Sequence, residues 1–321
     1  MQNFLLSPEA RDLPPIEVAT MSEAQAYDMF CKIRWARTNG KPICPRCSSR
    51  EYYPLTRRRK FKCKHCHHQF SVTSGSLFAG RKLAFRVLLY AISLFVGAGK
   101  GYSAIQLSHG IGVQYKTAFV LLHKIREALS DFQSSVEELV DEVEVDGAYF
   151  GGYVKPKNER KRRLDRRRKQ YTSGKRLVVA VARERSGRTF ATVAKREADA
   201  VLSIMSKVHG DATVFADEAA AWDDFHIWFL TYRINHAVSY ADDGTSTNQA
   251  ESFFSRIRRA EIGIYHHIAG AYLSAYAGEL AWREDNRRVG SRSRLEFALS
   301  LALLHPVSRT WKGYWQRRSA V

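Results

Sequence analysis

The sequence predicts a multidomain α/β protein in which a small cysteine-bearing ribbon and a set of helices precede a mixed α/β domain. Three observations predict it. Two Cys-x-x-Cys knuckles, Cys44/Cys47 and Cys63/Cys66, sit in a basic, turn-rich stretch. Apolar residues then recur at helical spacing from about 81 to 130, interrupted by Gly97, Gly99 and Gly101 and again by Gly110-Ile111-Gly112. From Val143 onward, short β-branched runs alternate with amphipathic stretches in the order β-β-β-α-β-α-β-α-α. A chain of 321 residues, 45% hydrophobic and 12% aromatic, has room for two or three such units and can bury real cores.

The elements follow in chain order. Residues 1–40 form an N-terminal helical segment, its main helix at 21–38 opening on a Ser22/Gln25 capping box and carrying Tyr27, Phe30, Ile33 and Trp35 along its apolar side. Residues 41–75 form the ribbon, and 76–134 a helical region with helices at 81–98, 103–109 and 113–130. The α/β domain spans 135–290: a strand at Val143–Phe150, strands at 176–184 and 188–194, a helix at 198–208, and a strand Thr213–Ala216 ending on Asp217. A helix at 218–231, a short strand near 236–240, a helix from about 247 and another at 268–288 complete it. Residues 291–321 are a helical tail. Residues 155–176 interrupt the domain with twelve Lys or Arg against two acids and almost no apolar side chains, so this segment is expected to be a mobile loop.

The formal charge of +19 points to a polyanionic partner, because such an excess repels itself in a compact fold. The first 18 residues carry Glu9, Arg11, Asp12 and Glu17 and lack the pattern of a secretory signal. The most apolar stretch, Leu83 to Ala98, contains Arg86 and is too short to span a bilayer, so it reads as a buried helix. No membrane is expected. In a reducing interior the cysteines point to metal rather than disulfides.

Cys44, Cys47, Cys63 and Cys66, with fifteen residues between the knuckles, suit four thiolates on one structural Zn²⁺. Arg46, Lys62 and Lys64 offset the negative charge of that centre, and Cys31 belongs to the core of its helix. Between the knuckles, the basic run Arg57, Arg58, Arg59 and Lys60 lies among the aromatics Tyr52, Tyr53 and Phe61, a composition that touches phosphate and stacks on bases. The bland alternative is a solubilised hairpin with Tyr52 and Phe61 packing its small core.

Residues 103–129 fit a helix-turn-helix: Ala104, Ile105 and Leu107 face inward, and the second helix buries Ala118, Leu121, Leu122, Ile125 and Leu129. That leaves Gln114, Tyr115, Lys116 and Lys124 outside, the first three at the end that would enter a major groove. In the α/β domain, alternation puts Val143 and Val145 on one face of their strand and Glu144 and Asp146 on the other. Asp217 ends a buried strand, and Glu251, with 33 residues between the two, lies on the first turn of a helix. Three carboxylates from two strands and a helix can hold Mg²⁺ or Mn²⁺ for in-line phosphoryl transfer. Asn248, three residues before Glu251, shares its helix face, so Glu251 either faces the acids or completes a capping box with Asn248.

These segments resemble the bacterial insertion-sequence transposases with an N-terminal zinc ribbon and a DDE catalytic domain of the ISXO type. The matching stretches are Arg34-Trp35, the run Phe70–Phe78, Val143-Glu144-Val145-Asp146 with Gly151-Gly152, Ala216-Asp217-Glu218, Thr247–Phe253, Gly263–His267 and Trp282–Arg288. The resemblance implies an RNase-H-like catalytic domain and divalent-metal-dependent DNA cleavage and strand transfer at terminal inverted repeats. It implies Asp146 and Asp217 as metal ligands, with Glu251 or Asn248 as the third position. It also implies double-stranded DNA as partner, both element ends and target, a homo-oligomer of at least two copies, and a cytoplasmic location. Two departures stand out: Gly147 where members usually carry an acid, and Arg258, followed by Arg259, where a Lys is usual. The basic loop, with Arg162, Arg163, Arg166, Arg167 and Arg168, is expected to grip DNA phosphates. The rival readings are a domesticated, non-catalytic DNA-binding regulator, which would have no need of the acidic trio, and a zinc-ribbon RNA-processing factor, which leaves that trio unexplained.

Overall fold

The computed structural model describes residues 4–135, 137–151, 176–234 and 247–318. Most of the basic loop, with its five named arginines, and the strand expected near 236–240 lie outside these residues. The chain forms two units, Met1–Leu129 with Asn286–Val321, and Ser130–Asp285.

The first unit opens with α1 (Pro15–Thr20) and α2 (Glu23–Arg34), the latter started by the expected Ser22/Gln25 capping box. Strands β1 (Tyr52–Leu55), β2 (Lys60–Cys63) and β3 (Gln69–Phe70) form a three-stranded antiparallel ribbon. Its small core is aromatic: Phe61 meets Tyr52, Trp35 and Phe70 at ring-centroid distances of 5.2, 5.8 and 5.7 Å. Helix α3 (Phe85–Gly97) is apolar almost all round, as a helix must be to pack on several sides. It is covered by α1, α2, α4 (Ala104–Ile111) and the C-terminal α9 (Ser291–Leu304). The expected start at residue 81 moves to 85, since Glu23 accepts hydrogen bonds from the Phe85 and Arg86 backbone N–H groups and fixes the first turn there. In the same way Asp12 accepts from the Arg292 N–H and caps α9.

Helix α4 begins on a Ser103/Gln106 capping box and ends on Gly112, whose φ of +65° is the left-handed conformation glycine adopts without penalty. Helix α5 (Tyr115–Ser135) follows and buries Ala118, Leu121, Leu122, Ile125 and Leu129 as expected. Two details are corrected. Ile105 is exposed, because Leu107 and Ser108 take the inward positions of this short helix. Lys124 is not on the outer face: its ammonium donates to the Leu77 carbonyl at 3.0 Å, and burial lowers its pKa. The last element among the described residues is α10 (Tyr314–Arg318).

The second unit is built on β4 (Glu142–Phe150), β5 (Leu177–Glu184), β6 (Thr189–Ala194), β7 (Thr213–Asp217) and β8 (Leu230–Ile234) in the order β6-β5-β4-β7-β8. The first three pair antiparallel, and β7 and β8 join in parallel. The short α6 (Val201–Met205) sits between β6 and β7; the expected 198–208 helix is cut to these five residues, with a 3-10 segment, Glu197–Asp199, before it. The expected helix at 218–231 is also corrected. Ala220–Ile227 is a 3-10 segment burying Trp222 and Phe225, and the strand follows at once. An i,i+3 apolar pair serves a 3-10 turn as well as an α-helix, and Leu230 begins an alternating run that pairs with β7. Helices α7 (Asn248–Ala260) and α8 (Leu273–Asp285) close the unit, the latter five residues shorter at its start than expected at 268.

Alternation along β4 gives the sheet two cores. Val143 and Val145 pack with Ile204, Val214, Ala216 and Trp222 on one face. Ala148 and Phe150 pack with Phe253, Phe254 and Ile257 of α7 on the other. Among the described residues no helix is long and apolar enough to cross a membrane.

Candidate active site

The ribbon brings its four cysteines together. Cys44 and Cys66 sulfurs lie 3.5 Å apart and those of Cys47 and Cys63 3.6 Å, and all four fall within 4.8 Å of one another. Sulfurs at Zn–S distances of about 2.3 Å stand roughly 3.8 Å apart in a tetrahedron, so the donor set fits Zn²⁺ with little adjustment. The Cys66 N–H directed at the Cys63 sulfur draws that thiol down to about 6, toward the thiolate a metal needs. Cys31 stays apart, buried in α2, its thiol pushed up to about 11 by burial. Arg57, Arg58 and Lys60 are exposed at the β1–β2 turn, while Arg59 is tied to Glu23 at 3.2 Å. Gln114, Tyr115 and Lys116 are all exposed at the start of α5, with the Lys116 ammonium 5.2 Å from the Trp315 ring.

In the second unit the acids gather at the C-terminal ends of the central strands. β4 and β7 pair in parallel up to Val145 and Ala216, so Asp146 and Asp217 are the next residues on neighbouring strands. Asp146 accepts from the Gly147 N–H at 2.6 Å, and Asp217 from the Ala219 N–H at 3.2 Å. Arg233 of β8 fixes the turn after Asp217 by donating to the carbonyls of Asp217 and Ala219 at 2.5 and 2.9 Å. Burial raises Asp146 to about 7, with the negative charges of Asp217, Glu251 and Glu197 adding to it. These four carboxylates therefore share one field. They are drawn together less tightly than the sulfurs: among the described residues only the cysteines place three or more ligand atoms within 4.8 Å. Carboxylates that share a field in this way are oxygen donors of the kind a hard divalent cation takes. Glu251 is half-buried and within the field of Asp146, whereas Asn248 is exposed.

Helix α7 reaches this position through Glu144, which shares a face of β4 with Asp146. The Glu144 carboxylate accepts from the N–H groups of Gln249 and Ala250 at 2.8 and 3.1 Å and from the Arg185 Nε at 3.1 Å. The helix's own N-cap residue, Thr247, makes no side-chain capping bond, and a carboxylate from the sheet takes two of the first-turn N–H groups. Arg183, opposite Glu144 in the β4–β5 register, donates to the Gln249 carbonyl at 3.3 Å and to Glu284 of α8 at 2.7 Å. Glu284 also pairs with Arg256 of α7. Two of the sequence segments singled out above meet here as well: Tyr265 donates to Glu279 at 3.1 Å, and Arg283 donates to the same carboxylate at 2.7 Å.

Glu197 was not legible as a site residue. It lies just before α6, and its side chain occupies the space above Gly147: a Cβ at 147 would stand 2.8 Å from Glu197 Cγ and 2.9 Å from its Oε1. Burial, and then the charge of Asp217, raise its pKa. The absence of a side chain at 147 is the sole sequence trace of this arrangement. Arg258 lies with its guanidinium 5.8 Å from the Phe150 ring, and Arg258 and Arg259 are both exposed on the last turn of α7.

Residues 138–285 match the family described as the ISXO2-like transposase domain, and residues 21–69 match the transposase zinc-ribbon domain. The chain is also 24% identical over 296 residues to an uncharacterized protein in transposable element ISH50 of Halobacterium salinarum. That match covers 88% of this chain and 98% of the relative.

Proposed function

We propose that this chain, which belongs to the insertion-sequence transposases with a zinc ribbon and an ISXO2-like transposase domain, binds the terminal inverted repeats of its element and catalyses DNA strand cleavage and strand transfer. The observation that carries the catalytic part is the in-register placement of Asp146 and Asp217, with Glu251 entering their field from α7. The strand order, three antiparallel strands extended by two parallel ones, supports an RNase-H-like reading of the second unit. Asp146, Asp217 and Glu251 are the residues to hold Mg²⁺ or Mn²⁺, and Cys44, Cys47, Cys63 and Cys66 those to hold Zn²⁺. When bound, the divalent ion activates a water or 3′-hydroxyl and neutralises charge building at phosphorus.

The residues of the chain supply the rest. Asp146, near neutrality between its protonated and ionised forms, gives up its proton as the site charges. Arg233 and Glu144 hold the Asp217 turn and the Glu251 helix, so the carboxylates stand in place before substrate arrives. Arg57, Arg58 and Lys60 meet phosphates. The α4–α5 pair, turned at Gly112, supports a helix-turn-helix reading in which Gln114, Tyr115 and Lys116 face a major groove. The basic loop with Arg162, Arg163, Arg166, Arg167 and Arg168, together with Arg258 and Arg259, adds phosphate contacts without base readout. Joining two element ends requires at least two copies of the chain.

The test is strand transfer on duplexes carrying the inverted repeats that flank the coding sequence, in Mg²⁺ or Mn²⁺, with end binding measured alongside. Asp217→Asn and Glu251→Gln should abolish transfer and leave end binding unchanged, while Asn248→Ala retains transfer. Normal transfer by Asp217→Asn defeats the catalytic reading. An active Glu251→Gln with an inactive Asn248→Ala moves the third ligand to Asn248.

A further inference from the structure

We infer that Glu144 is a positioning residue for the reaction: the length of its side chain sets how far α7 stands from β4, and hence where Glu251 meets Asp146. This inference rests on the proposed catalytic reading and deepens it. Glu144 is 1% exposed and is fixed from both sides by the sheet, opposite Arg183 on β5 and Phe215 on β7. One of its oxygens takes both α7 N–H groups and the other takes Arg185. A carboxylate so enclosed and so occupied is poorly placed to be a metal ligand itself. Its charge also lies at the positive end of the helix dipole, where a negative group is favoured.

Remote carboxylate caps recur in this chain, from Glu23 to α3 and from Asp12 to α9, so the device itself is structural. What sets Glu144 apart is its strand. It lies two residues before Asp146 on the same face, and the N–H groups it holds lie within two residues of Glu251. One rigid strand thus dictates the positions of two proposed ligands. Shortening the spacer by one C–C bond, about 1.5 Å, asks the helix to follow or the cap to break. Displacements of that order in a catalytic constellation cost about a hundredfold in rate.

The experiment compares Glu144→Gln, Glu144→Asp and Asp146→Asn in strand transfer, in Mn²⁺ binding by calorimetry, and in protection of the first-turn amides of α7 from hydrogen exchange. Gln keeps the reach and an acceptor for the helix; Asp keeps the charge and loses the reach. The expected result is a few-fold loss of transfer for Gln, and for Asp a loss of at least roughly thirtyfold with Mn²⁺ affinity weakened about tenfold. Element-end binding should stay intact in both. A Glu144→Asp protein that transfers and binds Mn²⁺ as well as the parent overturns the inference, as does a Glu144→Gln protein that keeps its α7 protection yet is inactive, which would make the charge itself the essential feature. If Glu144→Asp does not fold, the Gln variant still decides. Asp146→Asn separates the two levels: should it bind Mn²⁺ and transfer normally, the catalytic reading has failed whatever Glu144 does.

Discussion

Replacing Asp146 with Asn should stabilise the metal-free protein while abolishing strand transfer. In the folded chain the Asp146 carboxyl is raised from 3.8 to about 7, chiefly by burial and then by Asp217. Each unit is worth 1.36 kcal/mol, so ionising this group in the native state costs about 4 kcal/mol relative to the unfolded chain. The native state holds a proton that the unfolded chain releases. The associated stability is therefore whole below about pH 4 and is lost as pH rises through about 7. An Asn at 146 never ionises, so its advantage over the parent approaches about 4 kcal/mol at pH 8, shrinks to about 2 kcal/mol at pH 5, and vanishes toward pH 3. For a unit the size of Ser130–Asp285, 4 kcal/mol corresponds to roughly 10 °C in melting temperature. Thermal unfolding followed by circular dichroism, in chelator at pH 5, 6.5 and 8, measures it directly. Mn²⁺ at pH 8 should then raise the midpoint of the parent and leave that of the variant unchanged. A variant less stable than the parent at pH 8, or a gap that does not vary with pH, refutes the picture of Asp146 as a half-buried, uncompensated carboxylate.

Two further outcomes follow from the geometry and one from the sequence. Purified without chelator, the chain should carry one zinc ion, and Cys44→Ser or Cys63→Ser should lose both the metal and element-end binding while the circular dichroism melt of the α/β unit persists; zinc-free protein in a metal analysis would end this assignment. Gly147→Ala drives a methyl group against Glu197, so it should destabilise by about 1–2 kcal/mol, and the Glu197→Ala background should remove most of that penalty in a denaturant double-mutant cycle. Neutralising Arg162, Arg163, Arg166, Arg167 and Arg168 should flatten the slope of log K against log salt by up to about 0.9 per lost phosphate contact, with preference among DNA sequences unaltered; changed preference at constant slope would assign the loop to base readout.

What was legible in the sequence is what short stretches of chain decide alone. A Cys-x-x-Cys knuckle holds two ligands in one turn, so four cysteines announced a metal site before any fold was known. The Ser22/Gln25 box and the Gly112 turn are likewise settled by hydrogen bonds and backbone freedom within a few residues. Alternation along β4 is enough to put Asp146 on one face and Val145 on the other. The 3-10 segment at Ala220–Ile227 escaped because its apolar spacing suits two kinds of helix, and only pairing with β7 ends it early enough for β8. The return of α9 to α3, nearly two hundred residues away along the chain, has no local signature. Nor does the role of Glu144, whose partners lie 105 and 106 residues further on, or that of Glu197, known only by the space Gly147 leaves for it. The sequence by itself determined which chemical groups are present and which local turns and faces carry them. The tertiary structure alone decided which charges share a field, because carboxylates act on one another through distance and burial, and both depend on contacts between segments far apart in the chain.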